Sequence, residues 1–351
     1  MSRLPVTIVT GFLGSGKTTL INRALRAPAL AGALVVVNEF GEVGIDHALI
    51  ERSDDAVVLL ENGCLCCSVK GDLVAALTRL YERRGAGAVA PYDRVLIETS
   101  GLAEVGPLAD VFDAEPSLAA RYALAGIVAT VDAVNGAATI DAHDTALRQV
   151  ALADRLVVTK ADLVDADART AALGALAGRL SALNPAADVR AGDGADPAQM
   201  LVAFEAGAAA VVPRARAGAA FRHLRHDTGR VRHTSLVRDE PFDPHALQLF
   251  LDALERAAGP KLLRVKGLLN VEGRPEGPAV VHGAQRLVHR LAWLDRWPDA
   301  DRRSRLVIIT MDLPGDEVAG LLEMAERLAR RTRDARQREG AAPGTPPAAA
   351  R

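Results

Sequence analysis

The sequence feature that most constrains this chain is a glycine-rich stretch at residues 11–19. It satisfies the pattern G-x-x-x-x-G-K-[ST] through Gly11, Gly16, Lys17 and Thr18. An apolar, β-branched run before it predicts a buried strand, and the residues after it predict a helix. A strand, a loop of this pattern and a helix in this order are typical of a phosphate-binding loop. The complete motif in this context argues against the alternative, an ordinary glycine-rich turn.

Each part of the loop has a predicted contact with a nucleoside triphosphate. Glycines, including Gly14, let backbone N–H groups turn inward around an anion, and the helix N-terminus adds its partial positive charge. Lys17 is predicted to contact the β- and γ-phosphates, and the Thr18 hydroxyl is predicted to hold Mg²⁺. Ser15 and Thr19 complete the predicted nucleotide-binding loop.

Composition and charge exclude several classes of protein. A chain of 351 residues suggests about two domains. The net charge of −2 is spread over interspersed acids and bases, which gives no indication of nucleic-acid binding. We find no run of 18 or more apolar residues, so no membrane span is expected. All three cysteines lie within residues 64–67, which excludes disulfides between distant segments and favours the cytoplasm.

An acidic loop follows the second predicted strand, at residues 33–37. Glu39 is a candidate nucleotide or Mg²⁺ contact, and Glu42 and Asp46 could hold Mg²⁺ or a second metal. The position is where a mobile switch segment of a nucleotide hydrolase would lie. A solvated acidic loop fits the position equally well.

A cysteine cluster follows the third predicted strand, at residues 57–60. Cys64, Cys66 and Cys67 precede a predicted amphipathic helix at about residues 69–83. A helix N-terminus favours thiolates, and thiolates suit Zn²⁺, Co²⁺ or Cu⁺. The spacing is not the C-x-x-C of a closed structural site, so an incomplete metal site is expected. Three buried small side chains are the alternative.

The fourth predicted strand ends in Glu98-Thr99-Ser100-Gly101. In nucleotide hydrolases this position carries an acid that acts on Mg²⁺ and a glycine whose N–H contacts the γ-phosphate. Glu98 and Gly101 take these predicted roles, the alternative being an ordinary glutamate at the edge of a sheet. No glutamine follows Gly101 to orient the attacking water, so slow intrinsic hydrolysis is expected.

Thr159-Lys160-Ala161-Asp162 follows the sixth predicted strand and is a variant of the guanine signature N-K-x-D, with Thr159 in place of asparagine. The Asp162 carboxylate can accept both N1–H and N2–H₂ of guanine, a donor pair that adenine lacks. Lys160 would lie over the base. The motif therefore favours GTP over ATP.

These patterns predict an α/β P-loop NTPase fold, a mainly parallel sheet flanked by helices, with a smaller α+β domain at the C-terminus. The predicted boundaries place the P-loop domain at residues 1–205 and a linker at 206–232. The C-terminal domain is expected at 233–330, with a closing helix at 317–330, and a disordered tail at 331–351.

Taken together, these motifs resemble the CobW family of P-loop GTPases, relatives of the nickel-delivery GTPases of urease and hydrogenase. The resemblance covers nearly the whole chain and is carried by residues 11–19, Asn38-Glu39-Phe40-Gly41, Gly63-Cys64-Leu65-Cys66-Cys67, Glu98-Thr99-Ser100-Gly101, Thr159-Lys160-Ala161-Asp162 and Arg264-Val265-Lys266-Gly267. It implies a CobW/HypB/UreG-like nucleotide-binding domain followed by a CobW C-terminal domain. It also implies GTP hydrolysis coupled to handing a metal, most often zinc, to a client metalloprotein. Some members instead serve cobalt in cobalamin synthesis, and this sequence lacks the long His-rich tract of many members.

The leading hypothesis is a GTP-dependent zinc chaperone that hydrolyses GTP to GDP and phosphate. GTP with Mg²⁺ is expected to order residues 38–46 and 98–101, and hydrolysis is expected to change the cysteine site. A small-molecule kinase and a switch with a merely structural metal are the rival hypotheses. The sequence does not fix the oligomeric state, and a homodimer stays open.

Overall fold

Two β-sheets organise the part of the chain that the structure describes. This computed structural model describes residues 3–38, 57–59, 68–192, 196–202, 224–228, 230–284, 287–288 and 291–340. The first sheet lies in the N-terminal domain and the second in the C-terminal domain. No helix within these ranges is long and apolar enough to cross a bilayer.

The N-terminal sheet has seven strands in the order β3-β2-β4-β1-β5-β6-β7, and every neighbouring pair is parallel. Its strands are β1 (Leu4–Thr10), β2 (Ala33–Asn38), β3 (Val57–Leu59), β4 (Arg94–Thr99), β5 (Tyr122–Asp132), β6 (Arg155–Thr159) and β7 (Asp188–Ala191). Because the central strand β1 is flanked on both sides, its carboxyl end lies in the middle of one edge of the sheet. The phosphate-binding motif begins at that end.

Helices cover both faces of this sheet. They are α1 (Lys17–Leu25), α2 (Ser68–Gly85), α3 (Val105–Ala114), α4 (Pro116–Ala119), α5 (Gly136–Ala142), α6 (Asp144–Leu152), α7 (Arg169–Leu183) and α8 (Pro197–Val202). Alternation along β2 shows the two faces: Val35 and Val37 pack with α1 and α8, whereas Val36 packs with α2 and α3. Both faces are therefore apolar, as expected for a buried parallel sheet.

The C-terminal sheet is antiparallel, with strand order β12-β11-β10-β14-β9-β8 and β13 paired to β11. Its strands are β8 (Leu224–Thr228), β9 (Val231–Arg238), β10 (Leu262–Leu269), β11 (Ala279–Ala284), β12 (Leu287–Val288), β13 (Ala292–Trp293) and β14 (Ser304–Met311). Two helices accompany it, α9 (Pro244–Ala258) and α10 (Gly315–Gly340). Asp243 caps α9 by accepting hydrogen bonds from two backbone N–H groups of its first turn.

Both faces of the C-terminal sheet are buried. On β14, Leu306 and Ile308 pack among the side chains of α9 and α10. The alternate residues Val307, Ile309 and Met311 belong to one apolar cluster with α6 and α7 of the N-terminal domain. The two domains therefore share a continuous hydrophobic core.

A buried charge cluster lies at this domain boundary. Arg264 and Lys266, on the same face of β10, both donate to the Asp154 carboxylate, Lys266 at 2.9 Å. Arg264 also donates to the carbonyl oxygen of Leu152, and Asp154 accepts from the N–H of Ile127 at 2.9 Å. Burial alone would raise the pKa of Asp154, but the two cations and the N–H outweigh it and hold that pKa well below its usual range. Burial and the neighbouring guanidinium lower the pKa of Lys266, against the attraction of Asp154.

The predicted fold class is confirmed, and the first six predicted strands are present. The structure corrects three details. Strand β7 (Asp188–Ala191) was not predicted, because it is short and polar. Strand β8 and the start of β9 lie inside the predicted linker at 206–232. Helix α10 continues to Gly340, so residues 331–340 of the predicted disordered tail are helical, while 341–351 lie outside the described residues.

Candidate functional site

The glycine-rich loop connects the carboxyl end of β1 to α1, as predicted. Gly11, Gly14 and Gly16 all have positive φ angles, of 137°, 68° and 94°. A Cβ atom on Gly11 would lie 2.3 Å from the Thr130 hydroxyl oxygen and 2.5 Å from its carbonyl oxygen. Glycine is therefore required there both by backbone conformation and by the close approach of β5.

Side-chain hydroxyls fix the loop from the neighbouring strands. Ser15 Oγ lies 2.6 Å from Thr130 Oγ1, which in turn donates to the carbonyl oxygen of Thr10 at 3.2 Å. Thr159 Oγ1 donates to the carbonyl oxygen of Ser15 at 2.6 Å. Thr159, in the position of the signature asparagine, thus ties the end of β6 to the phosphate loop. The sequence did not predict Thr130 as a site residue, because only the fold brings it to the loop.

Lys17, the first residue of α1, lies over the loop that precedes it. Its Nζ donates to the carbonyl oxygens of Gly11 at 3.0 Å and Phe12 at 3.4 Å, and the side chain is buried. A buried ammonium held among backbone carbonyls is a fixed positive charge at the loop, which suits a polyanionic ligand. Thr19 lies in the first turn of the same helix.

Thr18 and Glu98 meet at the carboxyl edge of the sheet. Thr18 Oγ1 donates to Glu98 Oε1 at 2.6 Å. Glu98 is buried near the end of β4, and its Cα is in register with Val9 on the neighbouring strand β1. A hydroxyl and a carboxylate oxygen in contact are hard oxygen ligands, the set that Mg²⁺ prefers. The described residues at this position therefore have the chemistry to hold a magnesium ion, and the magnesium site stays a prediction.

Gly101 lies against the phosphate loop. A Cβ atom on this glycine would lie 2.6 Å from the backbone nitrogen of Leu13 and 2.8 Å from its Cα. Both atoms are backbone, so no side-chain rotation relieves that contact. The structure thus brings Gly101 to the loop at which it was predicted to contact a γ-phosphate.

The predicted guanine-recognition motif, residues 159–162, lies at the end of β6. Lys160 has a positive φ of 58° and donates to Asp132 Oδ2 at 2.8 Å. Asp132 also accepts from the N–H groups of Val134 and Asn135. Burial acts to raise the pKa of Asp132, but these donors outweigh it and lower that pKa. Asp162 is exposed in the 3-10 turn Ala161–Leu163. Asp132 was not predicted as a site residue, since the sequence shows only an acid at the end of a strand.

A cavity of about 190 Å³ lies beside the phosphate loop. The first half of the loop forms one wall, and the end of β5 with helices α5 and α6 forms the other. Phe12 of this loop stacks on His143, the residue before α6, with ring centroids 4.5 Å apart. This cavity extends toward β5 and is not lined by Lys17, Thr18, Glu98 or Asp162. Glu98 lies on β4, which is on the other side of β1.

Several predicted residues lie outside the described part of the chain. They are Glu39, Glu42, Asp46, Cys64, Cys66 and Cys67. The three cysteines lie between β3 and α2 in the sequence, and the first residue of α2, Ser68, directly follows Cys67. Within the described ranges, no group of three or more His, Cys, Asp or Glu side chains could hold a metal ion. The cysteine site therefore remains a prediction from the sequence.

Comparison with known families decides what kind of protein this is. The family model described as CobW/HypB/UreG, nucleotide-binding domain, matches residues 5–190, more than half of the chain. The model described as Cobalamin synthesis protein cobW C-terminal domain matches residues 231–326. The chain belongs to the CobW family. The resemblance predicted from the motifs is thus confirmed.

Relatives within the CobW family are similar over nearly their whole length. The Escherichia coli protein named zinc chaperone YjiA is 32% identical over 91% of this chain and 97% of its own. The Pseudomonas aeruginosa protein named zinc chaperone CobW is 31% identical over 93% of this chain and 92% of its own. The crystal structure of Zn(II)-bound YjiA GTPase from E. coli superposes with a TM-score of 0.67 at 26% identity, covering 93% of this chain and 99% of that one.

Proposed function

We propose that this CobW-family protein is a GTP-hydrolysing metallochaperone that carries zinc on its C-x-C-C motif and transfers it to a client metalloprotein. The observation that carries the proposal is the convergence of Lys17, Thr18, Glu98 and Gly101 on one phosphate loop at the centre of the sheet edge. Similarity to proteins named zinc chaperone, over nine-tenths of the chain, supports the cargo.

The site residues have complementary roles in the hydrolysis of GTP by water to GDP and phosphate. Backbone N–H groups of residues 11–19 and the Lys17 ammonium bind the phosphates and stabilise charge on the leaving group. Thr18 and Glu98 hold Mg²⁺, which neutralises phosphate charge when bound. The Gly101 N–H contacts the γ-phosphate.

Base selection falls to the end of β6. Asp162 is exposed there and accepts the guanine N1–H and N2–H₂ donors, and Lys160 lies over the base. Thr159 contributes indirectly, because its hydroxyl holds the phosphate loop through the Ser15 carbonyl. Glu39, beyond the end of β2, is proposed to contact the nucleotide or its Mg²⁺.

The zinc cargo and the nucleotide are proposed to share one edge of the sheet. Cys64, Cys66 and Cys67 follow β3, and β3 is parallel to β1 in the order β3-β2-β4-β1. Three strand spacings separate β3 from β1, about 14 Å at about 4.8 Å each. Residues 38–46 and 98–101 follow the two intervening strands. Nucleotide-dependent ordering of these segments would therefore reach the thiolates.

We further propose the cytoplasm as the compartment and a client metalloprotein as the macromolecular partner, with neither nucleic acid nor membrane involved. The oligomeric state, including a homodimer, can be measured by light scattering in each nucleotide state. Cobalt is the alternative cargo, since thiolates bind it as well. Metal analysis of protein purified without chelator identifies the metal.

A zinc titration with the nucleotide state fixed tests the proposal. Zinc affinity of the full chain is measured by competition with a chromogenic chelator, with Mg²⁺ and either GDP or a non-hydrolysable GTP analogue. We expect the two affinities to differ by a factor within the usual range for allosteric coupling, about 5- to 150-fold. Lys17→Ala should keep zinc binding and lose the difference. Equal zinc affinities in the wild-type chain would contradict the coupling.

A second arm separates a carried metal from a structural one. Cys66→Ala should abolish tight zinc binding while the variant stays folded, with a melting temperature close to that of the zinc-loaded wild type. If Cys66→Ala instead unfolds the domain, the metal stabilises the fold and is not cargo.

A further inference from the structure

Helix α6 places a glutamine directly against the loop that contains Gly101. Gln149 is buried, with 2% of the residue exposed. Its Nε2 donates to the carbonyl oxygens of Gly101 at 3.1 Å and of Ala103 at 3.3 Å. Both carbonyls lie in the segment between β4 and α3, 46 and 48 residues away in sequence. One amide group thus holds two points of the proposed γ-phosphate-contacting loop.

Packing alone does not account for a glutamine at this position. Among the described residues, Gln149 Oε1 is buried without a hydrogen-bond partner. A buried amide oxygen without a donor is unfavourable, whereas methionine or leucine would fill a similar volume with no polar atom to satisfy. The feature that an apolar residue lacks is the pair of N–H donors toward Gly101 and Ala103.

The helix that carries Gln149 is anchored at both ends. At its start, His143 stacks on Phe12 of the phosphate loop, and Asp144 accepts from Arg230 of the C-terminal domain at 2.6 and 2.7 Å. Just beyond its end, Asp154 is held by Arg264 and Lys266. Gln149 therefore projects from an element that both domains hold in place.

We propose that Gln149 is a positioning residue for GTP binding and hydrolysis, acting through Gly101. Glycine has the widest backbone freedom of any residue, so an unrestrained Gly101 would sample many orientations of its N–H. Fixing its carbonyl oxygen, and that of Ala103, restricts the loop to the conformation that lies against Leu13. The N–H of Gly101 is then pre-organised for the γ-phosphate before GTP binds. This inference rests on the proposed GTPase function.

The proposal makes a selective prediction, because GDP has no γ-phosphate. Loss of the two donors should weaken binding of a GTP analogue and slow hydrolysis, while GDP binding stays unchanged. A purely structural role for Gln149 would lower affinity for both nucleotides together with the melting temperature. The ratio of the two affinities therefore distinguishes positioning from general stability.

The test compares wild type and Gln149→Met in the full chain. Methionine keeps the length of the side chain and removes both donors. We expect GTP-analogue affinity and kcat each to fall about tenfold, a modest share of what a direct transition-state donor contributes, with GDP affinity within about twofold of wild type. If the methionine variant does not fold, Gln149→Leu removes both donors with a shorter side chain that introduces no charge, and the same selectivity is expected.

Val150→Ala is the matched control. Val150 is the next residue on α6, is buried and lines the same cavity, but makes no hydrogen bond to the Gly101 loop from its side chain. It should lower the melting temperature without changing the ratio of GTP-analogue to GDP affinity. An unchanged ratio and kcat in Gln149→Met would overturn the inference alone. A wild-type chain that neither hydrolyses GTP nor prefers its analogue in the presence of Mg²⁺ would overturn the proposed function and this inference together.

Discussion

At the scale of single residues, the site is defined by close approaches that tolerate no extra atom. Gly11 lies against Thr130, and Gly101 lies against the backbone of Leu13. Because glycines leave the backbone flexible, hydroxyl groups restrain the loop. Thr130 and Thr159 hydrogen-bond to Ser15 of the loop, and Thr18 hydrogen-bonds to Glu98. The loop is thereby held before any ligand binds, which reduces the entropy lost on binding.

Gly101→Ala should disable the γ-phosphate contact. A methyl group there would lie 2.6 Å from the backbone nitrogen of Leu13, so the loop must move away from the phosphate loop. We expect GTP-analogue affinity measured by calorimetry to fall at least about tenfold while GDP still binds. Gly178→Ala, on an exposed part of α7 with nothing within 4 Å, is the matched control and should leave both affinities unchanged.

Glu98→Gln should weaken the proposed magnesium site without changing its shape. The amide keeps a partner for Thr18 but removes the charge that favours a divalent cation. We expect kcat for GTP hydrolysis to fall about 100-fold. The Mg²⁺ concentration that gives the half-maximal rate should rise. Hydrolysis that is unchanged in both rate and Mg²⁺ requirement would assign the ion to other ligands.

At the scale of elements, the strand–loop–helix units could be predicted from the sequence, but the contacts between these units could not. The apolar runs of β1, β2, β4 and β6, and the motifs at their ends, are local patterns. Thr130, Asp132 and Gln149 join the site through contacts with residues up to 120 positions away, so no local pattern marks them. The polar strand β7 and the extension of α10 were missed for the same reason, since neither has a strong apolar period.

Helix α7 offers a prediction about its own stability. Gly174 and Gly178 lie on its exposed side in helical conformation, and a Cβ atom at either position meets nothing within 4 Å. Gly174→Ala and Gly178→Ala should therefore each raise the free energy of unfolding by about 0.5 to 1 kcal/mol, because alanine loses less backbone entropy on folding. Urea denaturation measures the gain, and a loss in either variant would mean that the helix is not built as described.

At the scale of the whole molecule, the two domains are joined by a shared core and by the Asp154 cluster. The R-V-K-G motif has a structural explanation there. Arg264 and Lys266 reach Asp154, Val265 packs on the opposite face of the sheet, and a Cβ on Gly267 would lie 2.6 Å from the Arg305 carbonyl oxygen. A motif that marks the C-terminal domain in sequence thus forms its attachment to the nucleotide domain.

Asp154→Asn should destabilise the chain strongly. It leaves Arg264 and Lys266 buried beside a neutral amide, and breaking a buried pair in this way typically costs about 3 to 5 kcal/mol. Denaturant unfolding at neutral pH measures the loss. Arg230→Ala, which removes the largely exposed pair with Asp144, should change stability little by comparison.

The same cluster predicts acid sensitivity. The pKa of Asp154 in the folded chain is held well below its usual range, mainly by Arg264 against the effect of burial. Its contribution to stability is therefore complete above the unfolded pKa, about 3.9, and declines as the pH falls from there toward the folded value. Wild type should lose more stability than Asp154→Asn between about pH 4 and pH 2.5, and equal losses would show that another carboxylate governs acid unfolding.

The alternation along β14 has a practical consequence for dissecting this protein. Val307, Ile309 and Met311 complete the apolar cluster of α6 and α7. Cutting the chain between its two sheets would therefore expose an apolar surface on each fragment. Such fragments are expected to aggregate and not to behave as separate working halves. Heating the intact chain should accordingly unfold both sheets in a single cooperative transition. The function of each domain is then best tested by point substitutions in the full chain.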